Sequence, residues 1–358
     1  MKVAIDISAS VYGTGVSVYT INLVKNLLSL NKKIEYVLCG YSFRRFNVLK
    51  GITTGFNGNF ESKLIRIPPT FFDYLWNNLH FLRFETFFGK VDVYHSSDWI
   101  QAPSTFPKIT TIHDIVPLKY PKLSHPNIVE VHQRRFKWVK KEVDVIVVPS
   151  NTTKKDITEL GIEERRIRVV PEAPDPIFKP VSRMRVDRLK RKYRISGKYI
   201  LSVGITPRKN NERIIEAFEK FRPGLDLKLV IIGEPKHELP QRRNVIFTGY
   251  VPNDEMPIFY SGAEALVYPS LYEGFGLPIL EAFSCKTPVV TSFFGSMLEV
   301  ADGAAILVDP YDVTSIKEGI SKALEYRKKM ITIGLSRVKQ FSWKKIAAKM
   351  CEIYKELK

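Results

Sequence analysis

Two glutamates, Glu273 and Glu281, bracket the stretch YEGFGLPILEAF. Gly274 and Gly276 turn the chain, and Pro278 suits the first turn of a helix, where its missing N–H is not needed. Ile279, Leu280 and Phe283 then give that helix an apolar side. In this reading the N–H groups of Phe275, Gly276 and Leu277 stand among the unpaired donors of a helix start, which suits an anion. Glu273 lies in the loop before the helix and Glu281 about one turn inside it. Both could hold sugar or ribose hydroxyls through charge-assisted hydrogen bonds. The same spacing also fits ordinary surface acids beside glycines that merely turn the chain.

Cations for such an anion are expected at Arg208 and Lys209, in the loop Gly204-Ile205-Thr206-Pro207-Arg208-Lys209-Asn210-Asn211. Arg brings a fork of donors and Lys a point charge, although most Lys/Arg pairs are solvated surface. A third candidate group follows apolar runs in the first half. Asp98 stands in the segment Ser96-Ser97-Asp98-Trp99, and His113-Asp114 closes Ile109-Thr110-Thr111-Ile112. A neutral histidine there could accept a proton or a hydroxyl hydrogen bond; a histidine satisfied by neighbouring backbone fits as well. Gly13 and Gly15 near the N-terminus could admit a ligand close to the backbone, or simply form a turn.

The elements that must position these residues alternate. Val3–Ile7 reads as a strand and is followed by the glycine pair and a helical stripe of Ile21, Val24 and Leu28. Further strands are expected at Tyr36–Cys39, Val91–His95, Ile109–Ile112, Val143–Pro149 and Ile167–Val170, with Ser150 to Thr152 supplying an N-cap. The aromatic segment 71–88 predicts a helix packed on the sheet, with a lipid-facing role as the second reading. Pro171, Pro174, Pro176 and Pro180 mark an interdomain linker. The rhythm then repeats with strands at Tyr199–Val203, Leu227–Ile232, Val245–Phe247 and Ala265–Tyr268. Such strand–turn–helix repeats make doubly wound α/β domains, which keep ligands at the carboxyl ends of their strands.

The chain has 358 residues, enough for about two domains. Cys39, Cys285 and Cys351 are widely spaced with no CxxC pair, against a disulfide framework or thiolate zinc site and in keeping with a reducing cytosol. No apolar run is long enough to span a bilayer, and MKVAIDIS goes straight into a strand rather than a signal peptide. A cytoplasmic location is expected. The formal charge of +18 favours an anionic partner: nucleic acid, an acidic membrane surface or a phosphorylated small molecule. The basic run RMRVDRLKRKYR at 183–194 reads as a solvated helix face or a contact to lipid phosphate.

Taken in order, Gly204…Pro207-Arg208-Lys209-Asn210-Asn211, Asn244 to Val251, EGFGLPILE, Cys285 to Val290 and Leu307-Val308-Asp309-Pro310 resemble the GT4 family of retaining glycosyltransferases. The early Gly-Thr-Gly turn, Thr111 to Asp114 and the Phe341-Ser342-Trp343 entry to a final helix extend the likeness over nearly the whole chain. The resemblance implies an α/β fold of the GT-B kind, two Rossmann-like doubly wound domains facing across a cleft. Residues 1–175 would form the acceptor-binding domain and 176–340 the donor-binding domain, with a last helix at about 341–358 crossing back onto the first.

It also implies roles. Glu281 would bind the donor ribose, Glu273 the transferred sugar, and the N–H groups of Phe275, Gly276 and Leu277 the diphosphate or sugar. Arg208 and Lys209 would neutralise the departing diphosphate, and Gly13 and Gly15 would let the first loop approach the donor. His113 would sit by the reacting carbon, with Asp98 and Asp114 on the acceptor side. No metal and no cofactor beyond the nucleotide-sugar substrate are implied. The expected reaction is retaining transfer of a hexose, GDP-mannose being the donor guessed, to a saccharide or lipid-linked saccharide in surface-polysaccharide synthesis, with a peripheral contact to anionic membrane. A GT-B epimerase and a basic nucleic-acid-binding protein are the alternatives; paired acids would repel a phosphate backbone, so nucleic acid is not expected as a partner. Two departures stand out. Ile205-Thr206 occupy a place where many relatives carry Arg, and Pro171-Glu172-Ala173 replace a frequent Pro-Asn-Gly.

Overall fold

The computed structural model describes all residues except 31–32, 97, 222–225, 235–241 and 358. The chain divides into two compact units, Met1–Glu172 with Ser342–Lys358, and Ala173–Phe341. Each is built on one all-parallel sheet.

In the first unit the strands are β1 (Lys2–Asp6), β2 (Glu35–Tyr41), β3 (Phe60–Ile65), β4 (Val93–Ser96), β5 (Lys108–Thr111), β6 (Val145–Val148) and β7 (Ile167–Val169), in the order β3-β2-β1-β4-β5-β6-β7. The second unit holds β8 (Lys198–Val203), β9 (Leu227–Ile232), β10 (Val245–Phe247), β11 (Leu266–Tyr268), β12 (Val289–Ser292) and β13 (Ile306–Val308), in the order β10-β9-β8-β11-β12-β13. Central parallel strands have helices on both faces, so they need apolar side chains at successive positions. Val145 to Val148 and Leu266 to Tyr268 are accordingly buried throughout. In both sheets the order reverses next to the unit's first strand, at β1/β4 and at β8/β11. The loops leaving those strands diverge there and open a crevice at the carboxyl ends.

Helix starts follow their caps. The Ser150 hydroxyl accepts from the Thr153 N–H at 3.0 Å, as the sequence suggested. The final helix, Trp343–Glu356, packs on Gly15–Leu30 inside the first unit. Its Tyr354 hydroxyl bonds the buried His95 ring at 2.8 Å, and Trp343 meets Tyr19 edge-on at 5.6 Å.

The aromatic segment is not one helix. It forms a turn at Pro69–Phe72, a π-helical stretch at Asp73–Asn78 and a short helix at Phe84–Phe88. His80 and Leu82 take positive φ in between, which no continuous helix allows. Phe72, Trp76, Phe84 and Phe88 enter the core, whereas Phe71, Tyr74 and Phe81 are exposed. The edge strand β3 and the preceding helix Phe46–Thr54 were not legible, because an edge strand is half-solvated and lacks a continuous apolar run. Among the described residues, no helix is long and apolar enough to cross a membrane.

Candidate active site

In the second unit, Arg208 and Lys209 lie in a 3-10 turn, Pro207–Lys209, just past β8. Glu273 lies just past β11, the neighbouring strand across the switch point. The two loops are stitched together by the Leu271 N–H donating to the Arg208 carbonyl at 2.8 Å. Asn210, at positive φ, adds amide bonds to the carbonyls of Pro269 and Pro310. Gly204 is required here. It takes φ +89°, and a Cβ on it would stand 3.1 Å from the Lys209 Cε.

Glu273 is buried and held by four donors. One carboxylate oxygen accepts from Lys209 Nζ at 2.7 Å, the Tyr268 hydroxyl at 2.7 Å and the Ser270 hydroxyl at 2.6 Å. The other accepts from Arg208 Nη1. The Lys209 ammonium also bonds the Tyr268 hydroxyl and lies over that ring, 4.4 Å from its centroid. Burial works to raise the Glu273 pKa, but the charges of Lys209 and Arg208 overcome it and hold the carboxyl at about 2. Two cations and one carboxylate leave one net positive charge at the switch point.

Glu281 sits differently. It is half-buried inside the helix Leu277–Ser284 and accepts from the Tyr260 hydroxyl at 2.7 Å. Burial pushes its carboxyl up to about 7, against the lowering effects of that hydrogen bond and of the Lys209 charge. Gly276 caps this helix at φ 108°, a conformation that L side chains rarely adopt. The Phe275 side chain is buried against Phe341 at 5.9 Å, so Phe275 can offer only its backbone to a ligand.

In the first unit, His113 follows β5 and Asp98 follows β4; Ser97 lies outside the described residues. The His113 Nδ1 is 2.7 Å from Glu172 Oε1, and its Nε2 is 4.0 Å from Asp98 Oδ2. Tyr19 meets the ring edge-on at 4.5 Å. Asp98 is shared with Arg135, 3.6 Å away, and Arg135 in turn donates to the Thr110 hydroxyl at 2.6 Å. Burial lowers the His113 pKa, but Asp98, Glu172 and Asp114 outweigh it and hold the ring at about 9. Asp98 and Glu172 thus favour the protonated ring, in contrast to the neutral, proton-accepting histidine expected from the sequence. Asp114 caps its own loop, accepting from the Val116 N–H at 3.0 Å. Gly13 takes φ +70° at the end of the turn Ser8–Tyr12, while Gly15 opens the following helix with no positive φ. A Cβ would meet nothing within 4 Å at either glycine.

Thus Arg208, Lys209 and Glu273 form one cluster with Glu281 beside it, and Asp98 and His113 form another. Tyr268, Ser270, Tyr260, Tyr19 and Arg135 were not anticipated as site residues. Tyr268 closes an expected strand, and neither Tyr260 nor Arg135 carries a local signal of a site. Glu172 had one signal, its place in the departure Pro171-Glu172-Ala173.

Two doubly wound sheets, with charged clusters at their switch points, define the class of the protein. Residues 186–334 match the family described as glycosyl transferases group 1, and residues 13–176 match glycosyltransferase family 4. The chain belongs to the GT4, group 1 glycosyltransferases and has the GT-B type of fold. It is 29% identical over 283 residues to the O-antigen chain mannosyltransferase B of Escherichia coli, covering 74% of each chain. It is 27% identical over 257 residues to the serotype-specific mannosyltransferase WbdA of Escherichia coli, covering 66% of this chain and only 32% of that longer protein. Among solved structures, the sucrose-phosphate synthase of Thermosynechococcus elongatus superposes with TM-score 0.72 at 19% identity, covering 100% of this chain and 99% of that one. Anabaena HepE in complex with UDP-glucose gives TM-score 0.71 at 15% identity, with 100% of both chains covered. At these identities the structures speak for the fold alone.

Proposed function

We propose that this glycosyltransferase moves a hexose from a nucleoside diphosphate sugar to a hydroxyl of a saccharide or lipid-linked saccharide, with retention of the anomeric configuration and without a metal ion. The observation that carries the reading is the Arg208–Lys209–Glu273 cluster at the β8/β11 switch point, beside the N-terminus of Leu277–Ser284. Breaking a glycosyl–phosphate bond puts negative charge on the leaving oxygen, and preorganised cations and N–H groups that meet it supply the largest share of catalysis. Arg208, Lys209 and the N–H groups of Phe275, Gly276 and Leu277 take that role here, which a divalent metal fills elsewhere. Glu281 takes the ribose. Glu273 holds the two cations in register and offers its Arg208-side oxygen to the transferred sugar. His113, as a cation, donates to a substrate oxygen instead of accepting a proton. No carboxylate is assigned as a nucleophile, so attack occurs on the face the diphosphate leaves.

The mannosyltransferase relatives support a mannosyl donor and an O-antigen-like acceptor. Exposed Phe71, Tyr74 and Phe81 support a peripheral contact with a membrane carrying that acceptor. The test is a donor panel of GDP-mannose, UDP-glucose and UDP-N-acetylglucosamine with a lipid-linked acceptor and excess EDTA, the product anomer being read by NMR. A retained anomer formed in EDTA is the expected result. Loss of activity in EDTA that returns with Mg2+ would overturn the metal-free reading, and an inverted product would overturn retention.

A further inference from the structure

The first-unit cluster carries more than a misplaced protonation state. Glu172, Asp98, Arg135 and His113 are all largely withdrawn from water, with side chains 7%, 10%, 4% and 12% exposed. A neutral ring would leave this group with two carboxylates against one guanidinium. Buried charge is tolerated when it is balanced, and balance here requires His113 to carry a proton on each nitrogen. The geometry agrees. Nδ1 is committed to Glu172 at 2.7 Å, while Nε2 lies 4.0 Å from Asp98, too far for a hydrogen bond.

We propose that Glu172 is a positioning residue whose carboxylate accepts the Nδ1–H hydrogen bond of His113 and stabilises the ring as imidazolium, so that Nε2–H can donate to a substrate oxygen. The proposal rests on the glycosyl-transfer reading and gives its acceptor half a defined polarity. Glu172 ends the first of the two stretches that make up the first unit, where the chain leaves β7 through Val170 and Pro171. A carboxylate at this place thus ties the loop after β5 to the departing chain. The other charged or titratable groups facing the ring are Asp98 from the loop after β4, Asp114 from its own loop and Tyr19 from the helix Gly15–Leu30. Arg135 from the helix Pro126–Glu142 acts through Asp98, and His95 on β4 is held neutral by burial. Glu172 is the carboxylate that hydrogen-bonds the ring, at 2.7 Å, whereas Asp98 lies 4.0 Å from Nε2 and is shared with Arg135.

The test uses the full-length chain carrying isotope-labelled histidine, the His113 resonance being assigned by its loss in His113→Gln. Wild type should titrate well above the ordinary histidine value, and Glu172→Gln should lower the midpoint by on the order of 1–2 pH units. In transfer assays, Glu172→Gln should lose turnover as pH rises through its new midpoint and recover toward wild type near pH 6, with the donor KM unchanged. Glu172→Asp should restore part of the high-pH activity. A purely structural role for Glu172 would not give recovery at acid pH. A wild-type midpoint near 6.5, a midpoint that Glu172→Gln leaves in place, or a loss that is equal at pH 6 and pH 8 would each overturn the proposal. The wild-type titration decides the point even if the variant does not fold. Should no sugar donor be turned over by wild type, the transfer reading fails while the titration still judges the Glu172–His113 pair.

Discussion

Replacing Glu273 by Gln keeps the shape of the side chain and removes its charge. In the native cluster the carboxylate accepts four donors, two of them cations, and its pKa falls from the ordinary 4.5 to about 2. By linkage, a group so held contributes roughly 3 kcal/mol of stability at neutral pH. An amide cannot reproduce this, since its NH2 end must face Arg208 or Lys209, each of which only donates. The sign follows from the lowered pKa: the contribution is full above pH 4.5 and is lost as pH falls through 2. It should therefore shrink to less than half of that by pH 3. The assay is urea unfolding of wild type and Glu273→Gln from pH 7 down to pH 3, followed by fluorescence. The expected result is a variant weaker by roughly 3 kcal/mol at pH 7, with the gap closing toward acid. A gap below about 1 kcal/mol at pH 7, or one independent of pH, would refute the claim that charge pairing dominates this site.

Lys209→Ala should lower turnover by roughly 2–4 kcal/mol of barrier, the scale of one lost oxyanion donor; near-wild-type turnover in steady-state kinetics would remove Lys209 from the mechanism. In the proposed role Glu281 holds ribose hydroxyls more strongly when ionised, and burial pushes its carboxyl up to about 7. Calorimetry should therefore show nucleoside diphosphate binding tighter at pH 8 than at pH 6, and Glu281→Gln should flatten that dependence. The same raised pKa means that Glu281 favours the unliganded fold when protonated and that this preference is lost as pH rises from 4.5 through 7, so the bare protein should melt lower at pH 8 in Glu281's contribution, which a wild-type against Glu281→Gln comparison isolates. Gly13→Ala forces an L residue to φ +70° and should cost about 1 kcal/mol in a denaturant melt. Gly15→Ala should cost nothing or stabilise slightly, since that residue lies in a helix with open space around it.

Local pattern carried most of the fold. Parallel strands buried on both faces must be apolar over several residues in succession, so Val145–Val148 and Leu227–Ile232 are legible without neighbours. Ser150 and Gly276 announce helix starts through chemistry confined to a few residues. The edge strand Phe60–Ile65 escaped because its pattern mixes exposed and half-buried positions. The aromatic segment misled because helical spacing does not reveal where a chain turns back, and His80 and Leu82 turn it.

The candidate site divides along the same line. Residue type and order nominated Arg208, Lys209, Glu273, Glu281 and His113, because an ordered series of cations, carboxylates and an imidazole beside strand ends is more specific than any one of them. Which of them share charge was decided only in three dimensions. Glu273 meets Arg208 and Lys209 across more than sixty residues of chain, because β8 and β11 are neighbours at a reversal of strand order. His113 meets Glu172 because β7 delivers the chain back beside the loop after β5. Protonation depends on burial and on the sum of nearby charges, and both belong to the packed fold. The sequence could therefore nominate His113, but only the tertiary structure sets Glu172 and Asp98 beside its ring, where they favour the protonated form.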